Sequence, residues 1–197
     1  MRFLFGLLLV LWSSIAVAQS YEDSIAQFRK NYINALLVEE NGPVKQSQAK
    51  HIDFFRPDLK YRVLATFTET PGSVPFMIET HSGKQKPYRE YGVLDFTVNG
   101  TAQKLHIYQN LDLLKTKQYK DYLFIPFRDE TNYETTYAGG RYIDLEIPDI
   151  KNGTYLLDFN KCYNPYCAYA DGYSCPIPPS ENSLHVEIKA GEKAFQQ

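Results

Sequence analysis

The chain has little tryptophan, little methionine and almost no excess charge. Trp12 is the sole tryptophan, methionine occurs twice, and the formal net charge over 197 residues is −2. So weak a charge excludes the basic footprint of a nucleic-acid binder and a strongly anionic-membrane ligand. No apolar run beyond the first residues is long enough to cross a bilayer, which takes about 20 residues. There is no serine elbow, P-loop, dinucleotide fingerprint or H-E-x-x-H, so no cofactor is expected. Three cysteines and four histidines offer no set at metal-ligand spacing, and no metal is expected either. Repeats, low-complexity tracts and long linkers are also missing.

What is present begins with an export signal. Arg2 precedes an apolar stretch from Phe3 to Trp12, followed by small residues ending Ala16-Val17-Ala18. A basic residue, an apolar region of about 10 residues and an A-x-A site describe a secretory leader over residues 1–18. Cleavage would remove Trp12 and leave Gln19 first. The remainder, residues 19–197, suits one domain, exported to a periplasm or beyond the cell, with no membrane span in the mature chain. Tyrosine is abundant at 16 and phenylalanine at 12. Tyrosine joins apolar area to a polar tip, which suits strands first and a sugar-like binding surface second.

A helix is expected over about 20–41. Ile25, Phe28, Tyr32, Ile33, Leu36 and Leu37 fall on one face, and Gly42-Pro43 stops it. From about residue 60 the period becomes two. Tyr61, Val63, Ala65 and Phe67 alternate with polar or small residues. Tyr91–Val98 and Ala102–Tyr108 form a hairpin about Asn99-Gly100. Further strands are expected at Tyr122–Phe127, Arg141–Ile147, Thr154–Phe159 and Leu184–Ile188, with a turn at Asn152-Gly153 and a short helix within Leu111–Tyr119. Both Asn-Gly-Thr triplets match glycosylation sequons, but also β-turns, the reading adopted. The fold class is mainly β with an N-terminal helix (α+β): an antiparallel sandwich or a partly closed barrel.

Alternation also indicates where polar side chains point. Asp129 follows Leu123, Ile125 and Phe127 on one face, and Arg141 opens the face of Ile143, Leu145 and Ile147. Each therefore ends an apolar strand face, where a charge must pair or stay solvated. The pair closes the sheet structurally, or it lines a pocket. In a pocket Arg141 would offer a planar fork to an anion and Asp129 would orient it or act as a base. Asp158 is a second candidate acid–base, and Arg128, Tyr137, Tyr142, Asn160 and Asn164 are candidate ligand contacts. A loop of roughly twenty residues rich in Tyr, Pro, Asn and Cys then runs to Asn182, a length that is usually functional or cross-linked. An oxidising compartment favours one disulfide among Cys162, Cys167 and Cys175. Joining Cys167 to Cys175 would contribute about 2.5 kcal/mol by loop closure and leave Cys162 over.

The runs Phe127-Arg128-Asp129-Glu130-Thr131, Thr136-Tyr137, Gly140-Arg141-Tyr142, Asp158-Phe159-Asn160, Tyr163 to Tyr169, Cys175 to Pro179, Asn182 and Gly191-Glu192 resemble the family catalogued as domain of unknown function 1684. The resemblance covers most of the mature chain and implies no established activity. Asn132 stands where that family often has glycine. Cys162 stands where it usually has a small residue, which marks Cys162 as the unpaired thiol. Three functions compete: a module binding a small polar or anionic molecule, an extracytoplasmic hydrolase using Asp129 or Asp158, and a structural or interaction domain of the cell envelope.

Overall fold

The computed structural model describes the backbone of residues 4–38 and 42–196, and the side chains of 19–37 and 42–196. The leader expected at residues 1–18 lies outside the side chains described. Helix α1 runs Leu4–Val38 and includes the expected helix up to residue 38. Among the described residues no helix is long and apolar enough to cross a membrane. Ile25 and Leu36 are fully buried. Tyr32, Ile33 and Leu37 join Leu36 in a small cluster with Val44, Ile52 and Tyr169.

Seven strands follow: β1 (Arg62–Glu69), β2 (Phe76–Glu79), β3 (Gln85–Val98), β4 (Thr101–Asn110), β5 (Tyr122–Phe127), β6 (Arg141–Glu146) and β7 (Thr154–Asp158). They form one sheet in the order β6-β5-β4-β3-β1-β7, with β2 also paired to β3. Every pairing is antiparallel. Asn99 and Gly100 take φ of 50° and 78°, the doubly left-handed geometry of a tight hairpin turn, and set Val98 opposite Thr101. β3 pairs with β1, β2 and β4 and is bulged between Glu90 and Gly92. A bulge bends and twists a strand. Gly92 is required there, since a Cβ would strike the Phe67 ring and come within 2.7 Å of the Thr68 carbonyl.

The sheet curls into a half-barrel, the partly closed alternative of the two expected. Ile143 and Asp144 of edge strand β6, Tyr155, Leu156 and Asp158 of edge strand β7, and Phe28 of α1 line one cavity of about 340 Å³. The two edges therefore face each other, with the helix beside the gap. The concave core gathers Leu94, Phe96, Leu105, Ile107, Leu123, Ile125, Phe127, Ile143, Leu145, Leu157 and Phe159. Each large apolar side chain so buried contributes about 1.5–3 kcal/mol.

One expectation is corrected. The segment Leu184–Ile188 has the buried alternation of a strand, Leu184 at 2% and Ile188 at 0% exposure, but it is not one. It is tied to the end of β5 by backbone bonds, Leu184 N–H donating to the Arg128 carbonyl and Glu130 N–H to the Val186 carbonyl, while the amide and carbonyl of Ile188 bond to side chains described below. The stretch Leu111–Tyr119 holds two short 3₁₀ turns, Leu113–Lys115 and Lys117–Tyr119. β2, only four residues long, was not expected.

The opposite face of the sheet carries a second, aromatic cluster. Ile78, Tyr88, Tyr108, Phe124, Tyr142 and Cys175 are buried there, with Phe76, Tyr122, Tyr163, Tyr166, Cys167 and Tyr173 against them. The cysteine loop covers this face. Cys167 and Cys175 are joined, with Cα atoms 6.2 Å apart, and Cys162 is free and buried. Replacing both paired cysteines by serine should cost about 2.5 kcal/mol, read as a lower urea midpoint at unchanged slope. An unchanged midpoint would mean that the loop is held by its aromatic contacts alone.

Candidate functional site

The structure brings Asp129 and Arg141 together, and both side chains have no exposed surface. Arg141 Nη2 donates to Asp129 Oδ2 at 2.7 Å and to the Ile188 carbonyl at 2.8 Å. Nη1 donates to the carbonyls of Ala190 and Glu192. Asp129 Oδ1 accepts from the Thr131 amide, the Thr131 hydroxyl and the Ile188 amide at 2.9, 2.6 and 3.1 Å. The guanidinium thus takes up three carbonyls of the C-terminal segment. The Ile188 end of Leu184–Ile188 is therefore held by side chains and not by a neighbouring strand. Among the described residues the third guanidinium nitrogen, Arg141 Nε, has no partner.

Asp158 lies elsewhere, at the end of β7, and shares no hydrogen-bond partner with Asp129. Its carboxylate accepts from the Tyr21 hydroxyl at 2.9 Å, and from the Asn160 amide and side chain at 3.1 Å. Burial, then the nearby Asp158 charge, push the Tyr21 phenol well above its ordinary range. The Asn160 side chain also grips Asp58, accepting from its N–H and donating to its carbonyl, both at 2.9 Å. Asp158 and Asn160 therefore pin α1 and the turn before β1 to the end of β7.

A third knot surrounds Glu192, which is fully buried. Its carboxylate accepts from the Tyr169 hydroxyl at 2.6 Å, the Tyr32 hydroxyl at 3.1 Å and the Asn164 amide at 2.9 Å. The Asn164 side chain donates to the Lys193 carbonyl at 2.7 Å. Burial pushes the Glu192 carboxyl up to about 7, against the pull of those donors. The preceding Gly191 has φ 71°, and any Cβ there would strike Cys162 Sγ. Burial likewise pushes the Cys162 thiol up to about 11, which leaves it protonated and unreactive at neutral pH.

Arg128 and Tyr137 meet around Gly139-Gly140. A Cβ on Gly140 would lie 3.1 Å from Arg128 Cγ, and one on Gly139 would strike the Tyr137 ring and come within 2.9 Å of His81 Nε2. Burial, then the Arg128 charge, lower the His81 pKa. Of the expected ligand contacts, Tyr142 is the one that reaches a tyrosine-lined opening. This is a cleft of about 450 Å³ between the sheet and the cysteine loop. Lys86 and Tyr88 of β3, Asn110 at the end of β4, Tyr122 and Phe124 of β5, and Tyr142 of β6 form one side. Tyr163, Tyr166, Tyr173 and Cys175 form the other. The register places these sheet residues on one face: Tyr88 opposes Asn110, Phe124 opposes Asp144, and Lys86 lies two residues before Tyr88.

Most polar groups of the cleft are already engaged. The Tyr142 hydroxyl donates to the Pro176 carbonyl, and those of Tyr122 and Tyr163 donate to Asp144, each at 2.7 Å. Asn110 Oδ1 accepts the amides of Asp112 and Leu113. Lys86 is different. No carboxylate lies within salt-bridge distance of it among the described residues, and burial lowers its pKa. Sequence reading missed Lys86, Tyr88, Asn110 and Phe124 as a group. The signals were the tyrosine content and the shared parity of Lys86 and Tyr88, but β3 was expected to begin only at Tyr91. Among the described residues no cluster of three or more His, Cys, Asp and Glu side chains is placed to hold a metal ion.

Comparison with known proteins gives a family and a fold. The model of the family DUF1684, described as protein of unknown function, matches residues 47–193. The solution NMR structure of an uncharacterized protein of Haloarcula marismortui is similar at 31% identity and a TM-score of 0.69, covering 90% of this chain and 96% of that one. None of the curated proteins matches the chain.

Proposed function

Because the chain belongs to DUF1684, a family of unknown function, its activity has to be argued from its own residues, and we propose that it is an exported domain that binds a small polar or anionic molecule in the tyrosine-lined cleft. The leader pattern at residues 1–18 supports export. The observation that carries the binding reading is the cleft itself. It is an opening of about 450 Å³ walled by six tyrosines and Phe124. Binding sites are concave and mainly apolar, with a few placed polar groups, and this cleft has that composition.

A structural role is favoured for the other polar residues singled out in the sequence. Asp129, Arg141, Asp158 and Asn160 spend their hydrogen bonds on neighbouring segments. Acid–base catalysis by Asp129 or Asp158 is the weaker proposal, since a base must reach the proton it abstracts and these oxygens already hold protein donors.

Screening the mature protein against small molecules for thermal stabilisation tests the reading. Ser174 lines the cleft and is half-buried. Ser174→Trp should abolish stabilisation by any ligand found, while the melting temperature of the free protein stays within a few degrees. Ligand-induced stabilisation that survives in Ser174→Trp would place the binding site elsewhere.

A further inference from the structure

The composition of the cleft goes further than the binding reading, on which this step rests. Three of its hydroxyls, from Tyr122, Tyr142 and Tyr163, are donated within the protein. Asn110 Oδ1 is likewise used. A polyol entering here would lose water without regaining equivalent partners from these groups, and unpaired buried polar groups are costly. What the walls offer instead is ring surface, which favours stacked or edge-on aromatic partners.

Charge points the same way. Two acidic side chains stand close by, and both have partners. Asp112 lines the cleft but pairs with Lys115 at 2.7 Å. Asp144 holds the two tyrosine hydroxyls. Lys86 lines the same cleft, half-buried and without an ion pair among the described residues. A lysine held partly out of water has given up hydration without receiving an anion, and a ligand carboxylate would restore a charge-assisted hydrogen bond. We infer that the cleft takes an aromatic carboxylic acid, its ring against the tyrosine-lined wall and its carboxylate on Lys86 Nζ.

Titrating the mature protein with 2-naphthoate and with its neutral counterpart 2-naphthamide, followed by amide chemical shifts, separates the two levels of the argument. Naphthoate should bind at least about tenfold more tightly, the scale of one hydrogen bond to a charged group. Lys86→Gln should erase that preference, and Lys86→Arg should keep it. Equal binding of both probes at the cleft would overturn the anion assignment and leave the binding reading standing. A preference for naphthoate that persists in Lys86→Gln would overturn the role of Lys86. No shift at cleft residues with either probe at millimolar concentration would contradict the binding reading and the inference with it.

Discussion

Arg141→Met should be among the most damaging single changes in the domain, costing about 3–5 kcal/mol. The loss has two sources. Asp129 would keep a buried charge with no cation, and the carbonyls of Ile188, Ala190 and Glu192 would lose their shared donor. Arg141→Lys should fare little better, because an ammonium cannot span the fork that serves four acceptors. Removing the stranded charge as well, in Asp129→Asn with Arg141→Met, should recover part of the loss, since breaking a buried pair costs more than replacing it. Urea unfolding of the four proteins measures this directly. For a domain whose whole stability is about 5–15 kcal/mol, the effect is easily resolved. If Arg141→Met unfolds at the wild-type midpoint, the guanidinium is not the clamp described here. Where the variants remain folded, ligand affinity at the cleft should be unchanged, because the pair does not line it.

Glu192 should impose a pH dependence with an unusual sign. Its carboxyl is raised from an ordinary 4.5 to about 7 by burial. Between those values the folded state holds a proton that the unfolded chain has released. Stability therefore falls as pH rises through this window, by about 3 kcal/mol in total for this one group. It is fully present below pH 4.5 and lost once the folded carboxyl ionises near 7. The mechanism is local: the three donors around the carboxylate are neutral, and among the described residues no cation forms an ion pair with it. Glu192→Gln keeps the shape and removes the titration. The stability difference between wild type and Glu192→Gln should therefore shift towards the variant by about 3 kcal/mol from acid to neutral pH. Parallel curves across that range would show that Glu192 ionises normally. Because Tyr32 of α1 holds this carboxylate, the loosening at high pH should be felt first where the helix meets the C-terminal segment.

The fold was largely legible in the sequence because its strands alternate and its turns carry Asn-Gly. Tyr122–Phe127 and Arg141–Glu146 lie opposite each other, residue for residue, as their apolar parity suggests. The Asn99-Gly100 hairpin forms in register. The same parity placed Asp129 and Arg141 at the ends of one buried face, and the structure joins them at 2.7 Å. Parity could not say whether that meeting point is open or filled. Thr131, Ile188 and Ala190 fill it, and two of these come from a segment far along the chain. It also misread Leu184–Ile188, whose burial pattern is strand-like while its backbone bonds to Arg128 and Glu130 give way to side-chain bonds at Ile188. The cleft was less legible still. Its two walls come from β3 to β6 and from the cysteine loop, so no local window contains it. Lys86 reads as one more surface lysine until β2 and the 3₁₀ turn at Leu113 are seen to pack around it.

The claim on which the account turns is that ligand binding belongs to the aromatic cleft and architecture belongs to the buried charges. The most direct measurement is a crystal structure of the mature protein with the tightest molecule from the thermal screen. Electron density is expected between Tyr88, Tyr142 and Cys175, with the Asp129–Arg141 pair undisturbed. A ligand seated against Asp158 in the gap between β6 and β7, or one that displaces Asp129 from Arg141, would contradict it.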